Sequence, residues 1–455
     1  MRSFAHLLLL SAVLPSCRPA VEAQAQQPIA FTNVTVVPMD RERLLSGYTV
    51  VVQGDRITAM GPTSEVRVPE GAVRIGGQGR YLMPGLSEMH GHIPPGDAPE
   101  RQIEKVLAFY ALNGVTTVRG MLGSPRHLAW RERANRGEIL SPTIYTTGPS
   151  FNGNSVKNPE DAIRMVTEQK AAGYDLMKIH PGVPREAYDS MAATARRLNI
   201  RFAGHIPAEV GIRRALEHRQ WTVDHVDGYV EGLVWDGTGS PPQSQFFGFN
   251  LAAQADESRL ADLVQRTKAA GTAIVPTQSL FESMLGPYSP DELAAWPEMR
   301  YWPAQTVAQW KQNTINNRQQ SGVTAESGQQ FLELRRRIMK ALHQGGVPFL
   351  LGSDAPQWWN VPGFSIQREL DAMAKAGFTP YQAYEMGTRN VAEHFGAADQ
   401  FGTVAVGKRA DLVLLEANPL DDVSNWSKQA GVMVRGKWYD KGEINRRLVE
   451  LSRSD

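Results

Sequence analysis

Apolar positions change their period twice along the chain. Residues 29–36 (Ile29-Ala-Phe-Thr-Asn-Val-Thr-Val) and 48–60 (Tyr48-Thr-Val-Val-Val, then Ile57) form short apolar or alternating runs broken by Gly and Asp. That pattern predicts antiparallel strands. The same pattern returns in Ala410-Asp-Leu-Val-Leu-Leu and Val432-Met-Val-Arg-Gly-Lys-Trp-Tyr. Between these ends, β-type runs recur at 81–89, 114–119, 143–147, 174–180, 200–206, 221–226, 272–277 and 347–353. Helix-like segments lie between most of them, at 101–112, 159–172, 184–198, 208–218, 257–270 and 327–344. Strands alternating with helices predict a parallel sheet with crossover helices, and eight strands is the number that closes a TIM-type barrel. The expected fold is therefore α/β, with a (β/α)8 barrel over residues 81–400. A small β-sandwich is expected from residues 27–80 and 401–455, ending in a C-terminal helix. The stretch 281–326 has no strand and is rich in Trp, Pro and Tyr. A connection of that length predicts a lid or a pocket wall.

Residues 1–26 stand outside this pattern. Arg2 precedes the apolar run Leu7–Leu14, which has the make-up of a signal peptide. The run falls short of the ~20 apolar residues that span a membrane. Leu14-Pro15-Ser16-Cys17 resembles a lipobox, with Cys17 as the acylated residue. Cleavage at a small-x-small site around Ala23 or Ala25 is the other route. Both predict an exported protein, either periplasmic or anchored to the membrane through Cys17, with secretion as the alternative. The 48 Lys+Arg against 47 Asp+Glu leave a net charge of +1, which argues against a nucleic-acid partner held by bulk positive charge. A hydrophobic content of 42% is enough for a sizeable core. The single cysteine excludes an internal disulfide framework and a Cys-ligated zinc site. A homo-oligomer is expected.

Polar residues gather at the ends of the predicted barrel strands. The first strand ends in Met89-His90-Gly91-His92. Positions i and i+2 of a strand share a face, so both imidazoles can grip one ion. Asp175-Leu-Met-Lys178-Ile-His180 places a lysine within an apolar strand. It either snorkels to the rim or lies buried with a lowered pKa. A buried lysine could react with carbon dioxide to give a carbamate that bridges two metals. Phe202-Ala-Gly-His205, Thr222-Val-Asp-His225 and Leu350-Leu-Gly-Ser-Asp354 each end in a ligand type. Thus His90, His92, Lys178, His205, His225 and Asp354 come from five strands, all at the same end. Imidazole and carboxylate donors suit zinc, with manganese, iron, nickel or cobalt as alternatives.

The chain resembles the amidohydrolase superfamily, in its binuclear type with a carboxylated lysine. It is most similar to the imidazolonepropionase-like branch, which includes exported Xaa-Pro dipeptidases. The resemblance spans roughly residues 28–440. Its carriers are Tyr81-Leu-Met-Pro-Gly-Leu-Ser-Glu-Met-His-Gly-His, Gly114-Val-Thr-Thr-Val-Arg, Met177-Lys178-Ile, Gly204-His205, Asp224-His225, Gly352-Ser-Asp354 and Gly402-Thr-Val-Ala-Val-Gly-Lys-Arg-Ala-Asp-Leu-Val-Leu-Leu. Ser87-Glu88 departs from the more usual Ile-Asp, and Gly120 stands where Asp often follows Val-Arg. The resemblance implies two divalent ions, zinc foremost. His90, His92 and Asp354 would hold the more buried ion, His205 and His225 the outer one. Carboxylated Lys178 and a hydroxide would bridge them. Asp354 would move the proton from the attacking hydroxide to the leaving amine.

Further expectations concern the substrate. His180 shares the inward face with Lys178 and could meet the substrate carbonyl. Tyr229 could hydrogen-bond a developing oxyanion. Trp358 and Trp359 could form an apolar subsite wall, and Arg119 could neutralise a substrate carboxylate, although a structural salt bridge suits it as well. The function implied is hydrolysis of amide or peptide bonds in small substrates, such as dipeptides of the Xaa-Pro type or N-acyl amino acids. The alternatives are a lactonase or phosphotriesterase using the same metals, and a cyclic-amide hydrolase or deaminase. Lys178 counts against the last of these, because a bridge serves only two metals. A non-enzymatic binding protein would be expected to lack one of the six ligands.

Overall fold

Strands from both chain ends share one sheet. The computed structural model describes residues 27–453, so the expected signal segment and Cys17 lie outside the described residues. Five strands come from the N-terminal part: β1 (Ile29–Val36), β2 (Leu45–Gln53), β3 (Arg56–Pro62), β4 (Val73–Gly76) and β5 (Tyr81–Pro84). Seven follow in the middle: β6 (Leu86–Gly91), β7 (Val115–Gly120), β8 (Thr143–Thr146), β9 (Leu176–Ile179), β10 (Arg201–Gly204), β11 (Thr222–Asp224) and β12 (Ala273–Val275). Three close the chain: β13 (Leu412–Leu415), β14 (Gln429–Val434) and β15 (Lys437–Asp440), before the helix Lys441–Ser452.

The β-sandwich expected from the two chain ends takes the form of one eight-stranded sheet, ordered β15-β14-β13-β5-β1-β2-β3 with β4 beside β1. It curls strongly. Phe31 of β1 meets Trp438 of β15 edge to face at 5.2 Å, although three strands lie between them in the sheet. The curl wraps a small core of Phe31, Val34, Val36, Val50, Val52, Leu82, Leu412 and Leu414. Alternate residues Met83, Val413, Leu415 and Val432 face the other way, into the main core. Both faces are thus apolar, which explains the near-continuous runs in β5 and β13.

The middle strands pair in parallel, as β6-β7-β8 and as β9-β10-β11-β12. The two sets are linked at both margins. Bridges Thr147↔Leu176 and Phe151↔Ile179 join the first pair of margins. On the other side Ile274 bridges Phe349, and Met89 donates its N–H to the Leu351 carbonyl at 2.8 Å. The expected eighth strand, 347–353, makes these contacts without forming a strand of its own. The expected first strand, 81–89, divides at Gly85. Residues 81–84 pair with β13 and β1, and only 86–91 pair with β7. The sheet-rich part therefore extends to residue 84, beyond the expected boundary at 80.

Helices lie close to where periodicity places them. Asn158 caps Pro159–Ala172 through its side chain on Asp161 N, proline opens the helix, and Gly173 at φ 84° closes it. Trp426 ties the two parts together. It is 2% exposed and packs on Gly114, where an added Cβ would lie 2.7 Å from its ring. Replacing Trp426 by alanine is expected to cost about 3–5 kcal/mol, the range for truncating a buried aromatic. Urea unfolding of the purified variant measures this; a loss below ~1 kcal/mol would contradict the packing role.

Candidate metal centre and active site

The predicted ligands converge. One atom from each of His90, His225 and Asp354 lies within 4.8 Å of the others, and all three residues are buried. His92 Nε2 is 2.7 Å from Asp354 Oδ1. The Lys178 ammonium lies 3.1 Å from His90 Nε2. His205 sits beside His225, ring centres 4.6 Å apart, and His180 stacks on His205 at 5.2 Å. The tightest trio thus cuts across the implied division, in which His92 joins His90 and Asp354.

Local backbone explains the convergence. His225, Thr277 and Asp354 follow strand-like segments and hold φ at 65°, 46° and 67°, a region costly for residues other than glycine. These turns bring side chains back over the strand ends. His225 is held in place twice. Its Nδ1 lies 2.8 Å from Thr277 Oγ1, and its carbonyl accepts from the buried Arg335 guanidinium at 2.7 Å. Gly204 has φ 123°, and a Cβ there would lie 2.5 Å from the Ile179 carbonyl and 2.9 Å from Lys178 Cδ. Only glycine lets β10 pass Lys178 so closely.

Burial sets the protonation. Desolvation pulls Lys178 down to about 8. Desolvation, joined by the Lys178 charge, takes His205 to about 3 and His180 to about 2. His90 and His225 are also lowered well below the usual imidazole value, first by desolvation. All four imidazoles are neutral and can offer lone pairs. A donor set of neutral imidazoles, a carboxylate and a buried amine fits a divalent cation of the zinc kind.

Beneath the ligands lie groups that the motifs alone do not single out. Asp224 Oδ2 sits 2.8 Å from His90 Nδ1. Glu88 accepts from His90 N at 2.9 Å and Ser353 N at 2.8 Å, and burial raises it to about 8. Both residues stand inside quoted motifs, next to a ligand, and that adjacency was the available signal.

A chamber of about 630 Å³ opens above His90, His92, His205, His225 and Asp354. His180 and Trp358 line it. The helix Ala304–Gln320, within the strand-free stretch 281–326, forms one wall through Thr314, Asn317, Arg318 and Gln320. Phe246 and Phe247 form another, Phe247 lying 5.8 Å from the His205 ring and 5.5 Å from that of His225. They come from a polar, Gly- and Pro-rich connection whose lack of period gave no warning.

Three expected substrate contacts point elsewhere. Arg119 is fully buried, bonded to Asp224 at 3.1 Å, to Thr222 Oγ1 at 3.0 Å and to the Met89 carbonyl. It is the structural ion pair, out of reach of a substrate. Tyr229 lies in the core with its hydroxyl on Thr267 Oγ1 at 2.7 Å, because it opens the helix Tyr229–Val234, which turns it away from the chamber. Trp359 is likewise buried, its Nε1–H donated to Thr314 Oγ1 at 3.0 Å behind the wall.

Residues 312–439 match the amidohydrolase family. Among curated proteins, the chain is 23% identical over 421 residues to the imidazolonepropionase of Geobacillus kaustophilus, covering 87% of this chain and 91% of that one. It is 21% identical over 413 residues to the adenine deaminase of Ruegeria sp. (88% of this chain), and spans only 56% of that protein's length. Among solved structures, a candidate prolidase from Bifidobacterium longum superposes with a TM-score of 0.68 at 22% identity, over 94% of this chain and all of that one. Each likeness of this kind extends to the fold.

The buried pair under His90 yields a test. Asp224→Asn strands the Arg119 charge and is expected to cost about 3–5 kcal/mol, whereas replacing both residues by apolar ones of similar volume should cost less. Chemical unfolding of the single and double variants checks this ordering; a double variant worse than the single would refute it.

Proposed function

We propose that this chain, a member of the amidohydrolase family, is a metal-dependent hydrolase of amide or peptide bonds in small substrates. Dipeptides of the Xaa-Pro type and N-acyl amino acids are the substrate classes considered. The observation that carries the reading is the meeting of His90, His225 and Asp354 within 4.8 Å at the floor of a substrate-sized chamber. The links at both margins of the parallel sheets support a closed (β/α)8 arrangement, in which such a floor is the usual active-site position.

In this reading His90, His92 and Asp354 would hold one divalent ion and His205 and His225 a second. Lys178 would join them as the carbamate formed with carbon dioxide. Its low pKa supports this, since only the free amine attacks carbon dioxide. Zinc is the leading candidate. A metal ion held here supplies Lewis acidity, lowering the pKa of bound water towards neutrality and polarising a carbonyl. Asp354 accepts the proton of the attacking water and hands it to the leaving amine. His180 is neutral and faces the chamber, so its N–H can meet the substrate carbonyl. The wall Ala304–Gln320 and the Phe246–Phe247 pair limit access of bulk water. Export, by cleavage or by acylation at Cys17, belongs to the same reading and rests on the N-terminal sequence.

Likeness to an imidazolonepropionase and an adenine deaminase favours ring-amide hydrolysis or deamination as the second reading. The two separate on metal content per chain, measured on protein purified without chelator. About two ions, with Lys178→Ala losing metal and amide hydrolysis together, is the expected result. Asp354→Asn is expected to lower kcat by about 10²–10⁴-fold. One ion, unaffected by Lys178→Ala, would move ring-amide chemistry to first place, and no ion would end the hydrolase reading.

A further inference from the structure

Three imidazoles of the centre each have a polar group beside Nδ1, and the three groups differ in charge. Beside His90 stands Asp224 at 2.8 Å, a carboxylate already paired with Arg119 at 3.1 Å. Beside His225 stands the uncharged Thr277 hydroxyl at 2.8 Å. Beside His205 stands Asp227, whose Oδ2 lies 3.1 Å from Nδ1 and also accepts the Ile206 N–H at 3.0 Å. Asp227 is 7% exposed. Among the described residues, no lysine or arginine pairs with it, and His205 is its ion-pair partner. The backbone builds this contact. His225 and Val226 hold φ at 65° and 54°, and Asp227 donates its N–H back to the Asp224 carbonyl at 3.1 Å. The turn after β11 thus brings two groups to His205: the His225 ring at 4.6 Å and the Asp227 carboxylate at Nδ1. A second cavity of about 450 Å³ adjoins the contact and is lined by His205, Asp227 and Glu231.

In the two-ion reading above, on which this rests, the inner ion would have the Asp354 carboxylate among its own ligands. The outer ion would have His205 and His225, both neutral, and otherwise only what the two ions share. A divalent charge in a site this dry needs a negative charge close by. We infer that Asp227 is the positioning residue of the outer ion: it accepts the His205 Nδ1–H, leaves Nε2 and its lone pair for the ion, and supplies the negative charge that this pair of ligands lacks. A carboxylate only accepts and a neutral imidazole carries one N–H, so the contact itself assigns the proton to Nδ1. A carboxylate in this place also fixes the ring and raises the basicity of the nitrogen opposite. Asp227 touches neither ion nor substrate and acts through His205 alone. Glu231 provides the comparison. It lines the same cavity four residues further on, takes the Ser244 hydroxyl and makes no hydrogen bond or ion pair with His205. It therefore separates the effect of the contact from that of negative charge in the cavity.

The test measures bound metal rather than turnover. Full-length protein loaded with zinc is equilibrated against a graded chelator series, and ions per chain are counted at each step. The wild type is expected to lose its two ions in two steps, the outer one first. Asp227→Asn keeps the size of the side chain and one acceptor oxygen. In it the first step should come at about ten- to a hundred-fold higher free zinc, the range for removing a partner that orients a metal-binding imidazole. The second step and the unfolding midpoint of the metal-free protein should stay where they are. Glu231→Gln should lose both ions as the wild type does. Asp227→Glu keeps the charge but shifts it, and its first step should move in the same direction by less; it carries the test if the asparagine variant fails to fold. A first step unmoved in the Asp227 variant that folds, both steps moved together with a lowered midpoint, or an equal shift in Glu231→Gln would overturn the inference and leave the two-ion hydrolase standing. A wild type that takes up fewer than two ions would overturn the two-ion reading itself.

Discussion

A fully buried ion pair organises the centre of the parallel strands. Arg119 on β7 reaches the Met89 carbonyl on β6 and both Thr222 and Asp224 on β11. Its charge, out of water, is tolerable only because Asp224 faces it. Asp224 then has a second task. It lies 2.8 Å from His90 Nδ1, on the side of the ring away from Lys178 and Asp354, which His90 Nε2 faces. One charge pair thus ties three strands together directly beneath His90. Shape complementarity among aliphatic side chains could tolerate a small slip, but a stranded guanidinium could not.

The same dryness shapes the ligands. Imidazoles that would take protons in mildly acidic water are kept neutral here by desolvation and by the Lys178 charge beside them. Strained turns at His225, Thr277 and Asp354 are the cost of aiming these groups inward. Arg335 offsets part of it by holding the His225 carbonyl, and it in turn lies against the Phe281 ring at 3.5 Å. The centre is therefore rigid by construction, while the chamber walls come from connections between elements.

How far the sequence revealed this depends on the kind of signal. Periods of two and 3.6 located most strands and helices to within a few residues, because burial on a fixed face imposes them. Ligand types at strand ends were legible because little else explains a histidine or lysine in an apolar run. Direction was not legible. Arg119 and Tyr229 sit in or just after a strand as the ligands do, yet they turn into the interior. The split at Gly85 was hidden because β5 and β6 are both apolar; a Cβ there would lie 2.4 Å from the Thr116 side chain, so the glycine marks a tight crossing between sheets. Arg318, Phe246 and Phe247 come from connections with no period, where chemistry depends on tertiary placement alone.

The pairing of β5 with β13 also governs how the chain can be made. Leu82 and Leu414 are direct partners, yet roughly 330 residues separate them, about 15–65 s of ribosomal synthesis at typical rates. Throughout that interval the inner edge of the N-terminal strands has a vacancy beside it, and apolar faces such as that of β5 lack their cover. Truncations near the C-terminus would leave the early strands without an edge partner. The domain first begun is the last completed, and its completion reports that the whole intervening polypeptide has been delivered.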